Sequence, residues 1–497
     1  MLNQDKLRTI FGLKIAYLRQ QKGLSYQQLA ETADLSMSYV HEIEKGKKYP
    51  KADKILLLAK ALDTTYDDLV SVHASKRLQP IIDLLESEFF KVFPMEMFGI
   101  NPENLLELFI NAPDKLNAFI STIIKLARNY QMQSENFYTA ALRSYQDMND
   151  NYFEEVEKTI AHFKLENNIN VNASFSTDYL EKLLKDNFKI TVDRKKMAAQ
   201  KLLKGVRSYY TPKGINEGGK KLFINKDLTS AQEHFLIARE LGFQYMKIKE
   251  RPYETVIMKA ENFEKLFNNF KASYFASALL MDENEIVADI KAWAESPIWN
   301  SNAFMKLTEK YNVTAEMLIQ RLSNILPKHF KINDLFFIRL QADEQLKVFK
   351  MNKELHLSRI HKPYANELNE HYCRRWVSVN AIKQLRTSIQ LDKNIGYVCD
   401  AQISNYWETD LSYFCVTVAK PNTSNPKESV SVTLGILIDD NARRLFRFLN
   451  DPNIKVKVVN TTCERCSMPD CGERAVAPFV IEKKNEQRDI EAALGKL

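Results

Sequence analysis

Cysteine is scarce in this chain, with six residues in 497. So thin a supply excludes the disulfide framework of a small secreted domain. It points to a reducing compartment, where clustered thiols signal metal. Also missing is any apolar run long enough to span a bilayer, and no basic-then-apolar leader opens the chain. These absences predict a cytoplasmic protein with no membrane partner. No long internal repeat and no extended low-complexity tract is present, which excludes a solenoid. Neither sign of charge dominates: the net charge is +7 with a pI near 8.8, which permits nucleic-acid binding without establishing it. What remains is ordinary for soluble globular chains, 45% hydrophobic and 27% charged. The length exceeds what one core serves and predicts three or four domains.

Periodicity divides the chain. Residues 1–72 read as short helices with tight turns. Residues 73–170 read as a helical linker, with apolar residues at intervals of three and four in "IIDLLESEFFKVF" and "NLLELFINAPDKLNAFISTIIKLARNY". Residues 171–330 mix helices with a few strands, as in "GKKLFINKD". From 331 to 497 strand-like runs dominate: "DLFFIRLQAD", "QLKVFKM", "YVCDAQISNY", "SYFCVTVAK", "SVSVTLGILI" and "IKVKVVN". The helix "DNARRLFRFLND" interrupts them. The predicted class is a multidomain protein: an all-α first domain, a helical segment suited to dimerisation, an α+β middle domain, and an α+β C-terminal domain with an antiparallel sheet.

The most specific stretch is "GLSYQQLAETADLSMSYVHEIEKGKKYPKADKILLLAKAL". Ser25 is placed to cap a helix starting at Tyr26, with Gln28 completing a capping box. Leu29, Ala30 and Ala33 form its buried face. Ser36 caps a second helix, in which Val40 and Ile43 face inward, and Gly46 sits where that helix stops. Two short helices joined by a tight turn make a helix-turn-helix. Over residues 8–70 this resembles the Cro/phage-repressor (XRE) family. The resemblance implies that the helix from Met37 to Lys45 enters the major groove of an operator. Met37, Ser38, His41 and Glu42 would then face base edges. Gln27 and Tyr39 would meet phosphates, helped by Lys45, Lys47 and Lys48. Phosphate contacts supply affinity and base contacts supply choice.

In the middle domain, "AQEHFLIARELGFQYM" has the frame of a zinc-peptidase helix. Such a helix needs histidines at i and i+4 on one face, and a glutamate beside the first as general base. The frame here reads Arg239-Glu240-Leu241-Gly242-Phe243. The glutamate is kept and both histidine positions are lost. Neither arginine nor phenylalanine offers zinc a lone pair. Residues 175–325 resemble the ImmA/IrrE-type metallopeptidase domain. "NFKASYFASALLM" stands where that family supplies an acidic ligand, and this chain has Asn269 and Lys271 there. A degenerate zincin-like domain without catalysis is expected, with its vacated pocket open to a metabolite. Cationic residues such as Arg239 would attract phosphates or carboxylates.

Half of the thiols crowd into "CERCSMPDCGER": Cys463, Cys466 and Cys471. Their spacing brings all three within reach of one centre, and thiolates suit zinc or an iron–sulfur cluster. Cys399 and Cys415 read as buried strand residues. Cys373 is an alternative fourth ligand, with a core position beside Trp376 the preferred reading. "CERCSMPDCGERAVAP" and "HYCRRWVS" together resemble the short-chain fatty acyl transcriptional regulators, and the order of parts agrees along nearly the whole chain. That resemblance implies DNA affinity answering to an acyl-CoA effector, and a 4Fe–4S cluster on the three cysteines. The residues proposed to meet the coenzyme are Arg207, Lys271, Tyr274 and Arg321, with Arg239. The expected protein is a homodimeric transcriptional regulator rather than an enzyme. Two alternatives stand beside it: an ImmA-like peptidase acting on a repressor, and a phage-type repressor governed by protein partners.

Overall fold

The computed structural model describes residues 4–71, 134–169, 176–197, 200–203, 205–212, 219–254, 262–356, 370–391, 395–423 and 425–495. The helical stretches read at 81–93 and 104–130, and with them most of the expected dimerisation segment, lie outside the described residues. The chain divides into two units, one of Met1–Leu142 with Lys259–Phe263 and the other of Arg143–Met258 with Glu264–Leu497.

Five helices form the described N-terminal part: α1 (Gln4–Gln21), α2 (Tyr26–Thr32), α3 (Met37–Glu44), α4 (Ala52–Leu62) and α5 (Tyr66–Val70). The first is 18 residues long, not one of a set of short helices. The Ser25 hydroxyl accepts from the Gln28 N–H while the Gln28 amide returns to Ser25, so the expected capping box is present. The Ser36 hydroxyl caps α3 by accepting from the Tyr39 N–H, without a return bond of the capping-box kind. Phe11, Ile15, Leu29, Ala30, Ala33, Val40, Ile43, Ile55, Leu58 and Leu62 share one core. Gly12 lets α1 approach α3 closely: a Cβ there would lie 2.4 Å from the Ile43 carbonyl oxygen.

Helix α6 (Ser134–Met148) follows, then α7 (Glu154–Glu166) and α8 (Thr177–Phe188). Three short strands, β1 (Ile190–Asp193), β2 (Ser208–Thr211) and β3 (Lys220–Ile224), form a sheet in the order β1-β3-β2, with β1 parallel to β3 and β2 antiparallel. Helix α9 (Ser230–Tyr245) carries the peptidase-like frame and opens on a Thr229/Gln232 capping box. Helices α10 (Phe263–Leu280), α11 (Glu283–Ala294), α12 (Ser301–Lys310) and α13 (Ala315–Phe330) complete this region. Gly242 on α9 allows the Phe275 ring of α10 to close on it, since a Cβ would come within 2.9 Å of that ring.

The C-terminal strands are β4 (Leu335–Ala342), β5 (Phe349–His356), β6 (Val398–Tyr406), β7 (Ser412–Pro421), β8 (Ser429–Leu437) and β9 (Lys455–Val459). They form one sheet in the order β5-β4-β8-β7-β6-β9. The expected antiparallel sheet is corrected at one edge, where β9 runs parallel to β6. Two helices escaped the sequence reading, α14 (Val377–Gln390) and α16 (Phe479–Leu494), beside the expected α15 (Asp440–Leu445). Helix α14 starts on Trp376 without a side-chain cap and carries Val377 and Val379 in its first turn, so its start signal is weak.

Alternate residues of β4 explain why its sequence is nearly continuous in apolar residues. Leu335 and Phe337 join the core shared with α7–α13, whereas Phe336, Ile338 and Leu340 join a second core with Val379, Ile382 and Leu385 of α14. A sheet covered on both faces needs apolar residues on both. The first core runs unbroken from Phe153 to Ile454, so no break in packing falls at residue 330. Among the described residues no helix is long and apolar enough to cross a membrane.

Candidate functional site

The sequence-predicted DNA face is built on α3. Val40 and Ile43 point into the core, which turns Met37, Ser38 and His41 to the surface, Met37 with 56% of its area exposed. Gln27 is exposed on α2 and bonds Glu31 at 3.1 Å. Glu42 is half-buried and paired with Lys48 at 2.7 Å, and the Lys48 ammonium also lies 5.7 Å from the Tyr39 ring. Reading a base with Glu42 therefore means releasing a surface ion pair, a cost of about 1 kcal/mol or less. Lys47 is exposed and Lys45 half-buried at the end of the helix.

What orients α3 was not visible in the motif. Arg19 of α1 grips Glu44 through two bonds of 2.6 and 2.9 Å, donates to the Leu24 carbonyl and stacks 4.1 Å from the Tyr26 ring. Lys14 donates to the carbonyls of Asp68 and Ser71, tying α1 to the end of α5. Burial lowers the Lys14 ammonium and Asp68 partly offsets that.

At the peptidase-like frame, Glu240 is only 3% exposed and its carboxylate is occupied. Arg251 donates to both oxygens, at 2.8 and 2.5 Å, and Gln244 donates at 2.7 Å. The Arg251 guanidinium lies 3.8 Å from the Phe243 ring centroid and 4.7 Å from that of Tyr210. The expectation of an open pocket beside Glu240 is thereby corrected: an arginine cation fills the place next to the surviving glutamate. Arg239 reaches toward Asn269 and Ser208, both at 3.4 Å. Burial, with the charges of Arg251 and Arg207, brings its guanidinium down to about 10 against the pull of Glu240. Guanidinium, phenyl and carboxamide groups are not a zinc donor set. These residues do not fit the metal of a zincin, and no hydrolytic step is derived for them.

The five residues put forward for an effector do not form one site. Arg321 is 0% exposed, and its guanidinium is used up by Glu157 at 2.5 and 3.3 Å and by the Met281 carbonyl. The Tyr274 hydroxyl donates to the same Glu157 at 2.7 Å. Both therefore hold α7, α10 and α13 together and are corrected from ligand residues to core residues. Lys271 lies on a groove of about 590 Å³, flanked by Tyr145, Phe153, Phe267, Phe270 and Lys328. Its ammonium sits 4.4 Å from the Phe267 ring.

Arg207 belongs to a cationic cluster around Glu316, in the first turn of α13. Glu316 pairs with Lys353 of β5 at 2.5 Å and Arg339 of β4 at 3.5 Å. Burial alone would raise the Glu316 carboxyl, but Lys353, Arg339 and Arg207 hold it down at about 2. Burial lowers the neighbouring Lys420 ammonium; Glu316 opposes that, while Arg207 and Arg339 add to it. Register places Arg339 opposite Lys353, and Lys420 two strands away opposite Val430. Several cations thus share one carboxylate. The Glu316 contribution to stability is complete above its ordinary pKa of 4.5 and is lost as pH falls toward 2. Glu316→Gln is expected to flatten the acid side of a melting-temperature profile over that window. An unchanged profile would contradict the pairing.

In the cysteine loop, Cys463 and Cys466 are buried and Cys471 half-buried. Arg474 braces the loop by donating to the carbonyls of Cys463, Cys466 and Met468. The Ala475 N–H points to the Cys463 sulfur at 3.4 Å. Among the described residues no three His, Cys, Asp or Glu side chains converge on a single ion. The donor chemistry nonetheless fits a thiophilic metal: three thiols in one braced loop, with an N–H directed at sulfur. Arg251, Lys420 and Glu316 were missed because nothing local marks them. Each acquires its role from partners distant in sequence.

Comparison with known proteins agrees with the first two parts. Residues 15–69 match the helix-turn-helix family model and residues 186–323 the IrrE N-terminal-like domain. An uncharacterized HTH-type transcriptional regulator of Rickettsia conorii is 39% identical over 63 residues, covering 13% of this chain and 50% of that protein. Another, from Sinorhizobium fredii, is 29% identical over 65 residues, covering 13% of this chain and 84% of its own. The chain thus spans about half the length of the Rickettsia relative. A Mycobacterium tuberculosis transcriptional regulator of known structure superposes with a TM-score of 0.47 at 18% identity, covering 67% of this chain and 92% of that one. This chain therefore carries a helix-turn-helix domain followed by an IrrE N-terminal-like domain.

Proposed function

We propose that this protein is a DNA-binding transcriptional regulator, acting as a homodimer, whose operator affinity is set by a short-chain acyl-CoA. The observation that carries the DNA-binding half is the orientation of α3: its apolar residues are in the core and Met37, Ser38 and His41 are outside, with Lys45, Lys47 and Lys48 at its end. Lys47→Ala with Lys48→Ala is expected to weaken binding to all sequences and to reduce the slope of log K against log salt by roughly two. Changes at Ser38 or His41 should alter which sequence is preferred. Fluorescence anisotropy over a salt series, with selected and random duplexes, separates the two. An unchanged salt slope would place the DNA face elsewhere.

Support for an anionic effector comes from the cluster of Arg207, Arg339, Lys353 and Lys420 around the single carboxylate of Glu316. A coenzyme A thioester brings phosphates that match such an excess of cations. An effector acts only through different affinities for two conformations. Acyl-CoA is therefore expected to shift both the melting temperature and the operator affinity of the wild type. Arg207→Glu with Lys420→Glu should abolish both shifts. Response to no CoA thioester would favour a repressor governed by protein partners. The three clustered cysteines are read as a site for zinc or a 4Fe–4S cluster.

A further inference from the structure

We propose that helix α16 of one chain docks in the aromatic groove beside Lys271 of a second copy, each chain giving its helix and receiving the other's. The inference rests on the homodimer reading and deepens it by naming the surfaces that meet.

Helix α16 runs from Phe479 to Leu494, and none of its side chains is buried. Its first turn is tied back by the Val480 N–H, which donates to the Glu464 carbonyl at 3.2 Å. A 16-residue helix is marginal in water on its own and gains stability by covering an apolar face. Such a face is present. Phe479, Ile490 and Leu494 are each more than half exposed, and the helical period sets them on one side. Glu482, Glu486 and Asp489 form a row along one flank of this ridge. Lys484 and Arg488 begin a row on the opposite flank, which Glu491 ends. Lys483 lies within the ridge, and its stem is long enough to carry the ammonium to the edge.

The groove has the matching order. Its volume is about 590 Å³ and its floor is aromatic, with Tyr145, Phe153, Phe267 and Phe270. The rings hold one another, Tyr145 on Phe267 at 5.2 Å and Phe153 on Phe270 at 5.1 Å, so the floor is formed before anything binds. Helix α10 and the end of α13 bring Lys271, Lys328 and Lys331 to it, and the α6–α7 corner brings Asp150, Glu154 and Glu155. Lys271 and Lys328 rest over ring faces, of Phe267 at 4.4 Å and Tyr152 at 4.9 Å. An apolar floor with a cationic wall and an anionic wall complements an apolar ridge with an acidic flank and a basic flank. Laying an amphipathic helix in such a groove is a common mode of recognition. Within one chain the helix stays clear of the groove, since none of its residues is buried. A second copy supplies both halves of the match, and reciprocal docking closes a two-fold dimer.

Sedimentation equilibrium of the full chain over a concentration series tests this. Glu482→Lys with Glu486→Lys sets cations against the lysine wall. Lys328→Glu with Lys331→Glu sets carboxylates against the acidic flank. Each double variant is expected to raise the dimer dissociation constant at least about tenfold, because like charges then face each other across the interface. Mixing the two variants should restore association to about the wild-type level, since every helix then meets a groove of opposite sign. All four positions are exposed, so both variants should melt like the wild type. Phe479→Ser with Ile490→Ser tests the apolar ridge separately and should also dissociate the dimer. Dissociation by the helix variant but not by the groove variant, or a mixture that stays monomeric, overturns the groove as the seat of α16. Dimers of unchanged strength in all three variants overturn the assignment while leaving the homodimer reading intact. A wild type that is monomeric at every concentration overturns both.

Discussion

Arg251→Ala is expected to destabilise the larger unit by about 3–5 kcal/mol, because it leaves Glu240 charged and buried without its bidentate partner. The loss has a further part. The guanidinium also covers the faces of Phe243 and Tyr210, so its removal opens space between α9 and β2. The neutralising change Glu240→Gln should cost less, since Gln244 and Arg251 still find an amide oxygen. Combining Arg251→Met with Glu240→Leu should recover most of the loss, as replacement of a buried pair by apolar groups often does. Urea denaturation of the four proteins reads this directly. If Arg251→Ala melted like the wild type, the cation would not be serving as the counter-charge of Glu240. The same series bears on catalysis: freeing Glu240 in Arg251→Ala restores a carboxylate but no zinc ligands, so no peptidase activity should appear.

The second large effect is expected at the other unit. Arg19→Ala removes the buried partner of Glu44 at the end of the recognition helix, with an expected cost of about 3–5 kcal/mol. A helix-turn-helix module of this size has a total stability of roughly 3–10 kcal/mol. The substitution should therefore unfold the module or loosen α3, abolishing operator binding while the second unit melts as before. Scanning calorimetry beside DNA-binding measurements checks both halves. Arg19→Lys should rescue poorly, because an ammonium cannot make the two parallel bonds or stack on Tyr26 in the same way. Wild-type affinity in Arg19→Ala would show that α3 is oriented by apolar packing alone.

The helix-turn-helix was legible almost residue by residue. Ser25, Gln28 and Ser36 act within four residues of themselves, and Val40 and Ile43 are identified by helical period, so local sequence carries the information. The strands after residue 331 were equally visible, since apolar runs bounded by turns have few other uses. Helix α14 was not, because β-branched residues and an uncapped start obscure its period. The site fared worse. That Arg239 and Phe243 offer zinc no donor was evident, but not that Arg251 would pair with Glu240. Tyr274 and Arg321 were plausible ligand residues by type and became core residues through Glu157, which lies 164 residues from Arg321.

What the amino-acid sequence determined alone was therefore the local and the negative: where helices are capped, which faces are apolar, which metal cannot be held at α9. Tertiary structure decided the buried pairings of charge. It set Arg19 on Glu44, Arg251 on Glu240 and Arg321 on Glu157. The reason is physical. Caps and periodicity are written in neighbours, whereas the worth of a buried charge depends on a counter-charge that only folding brings within bonding distance.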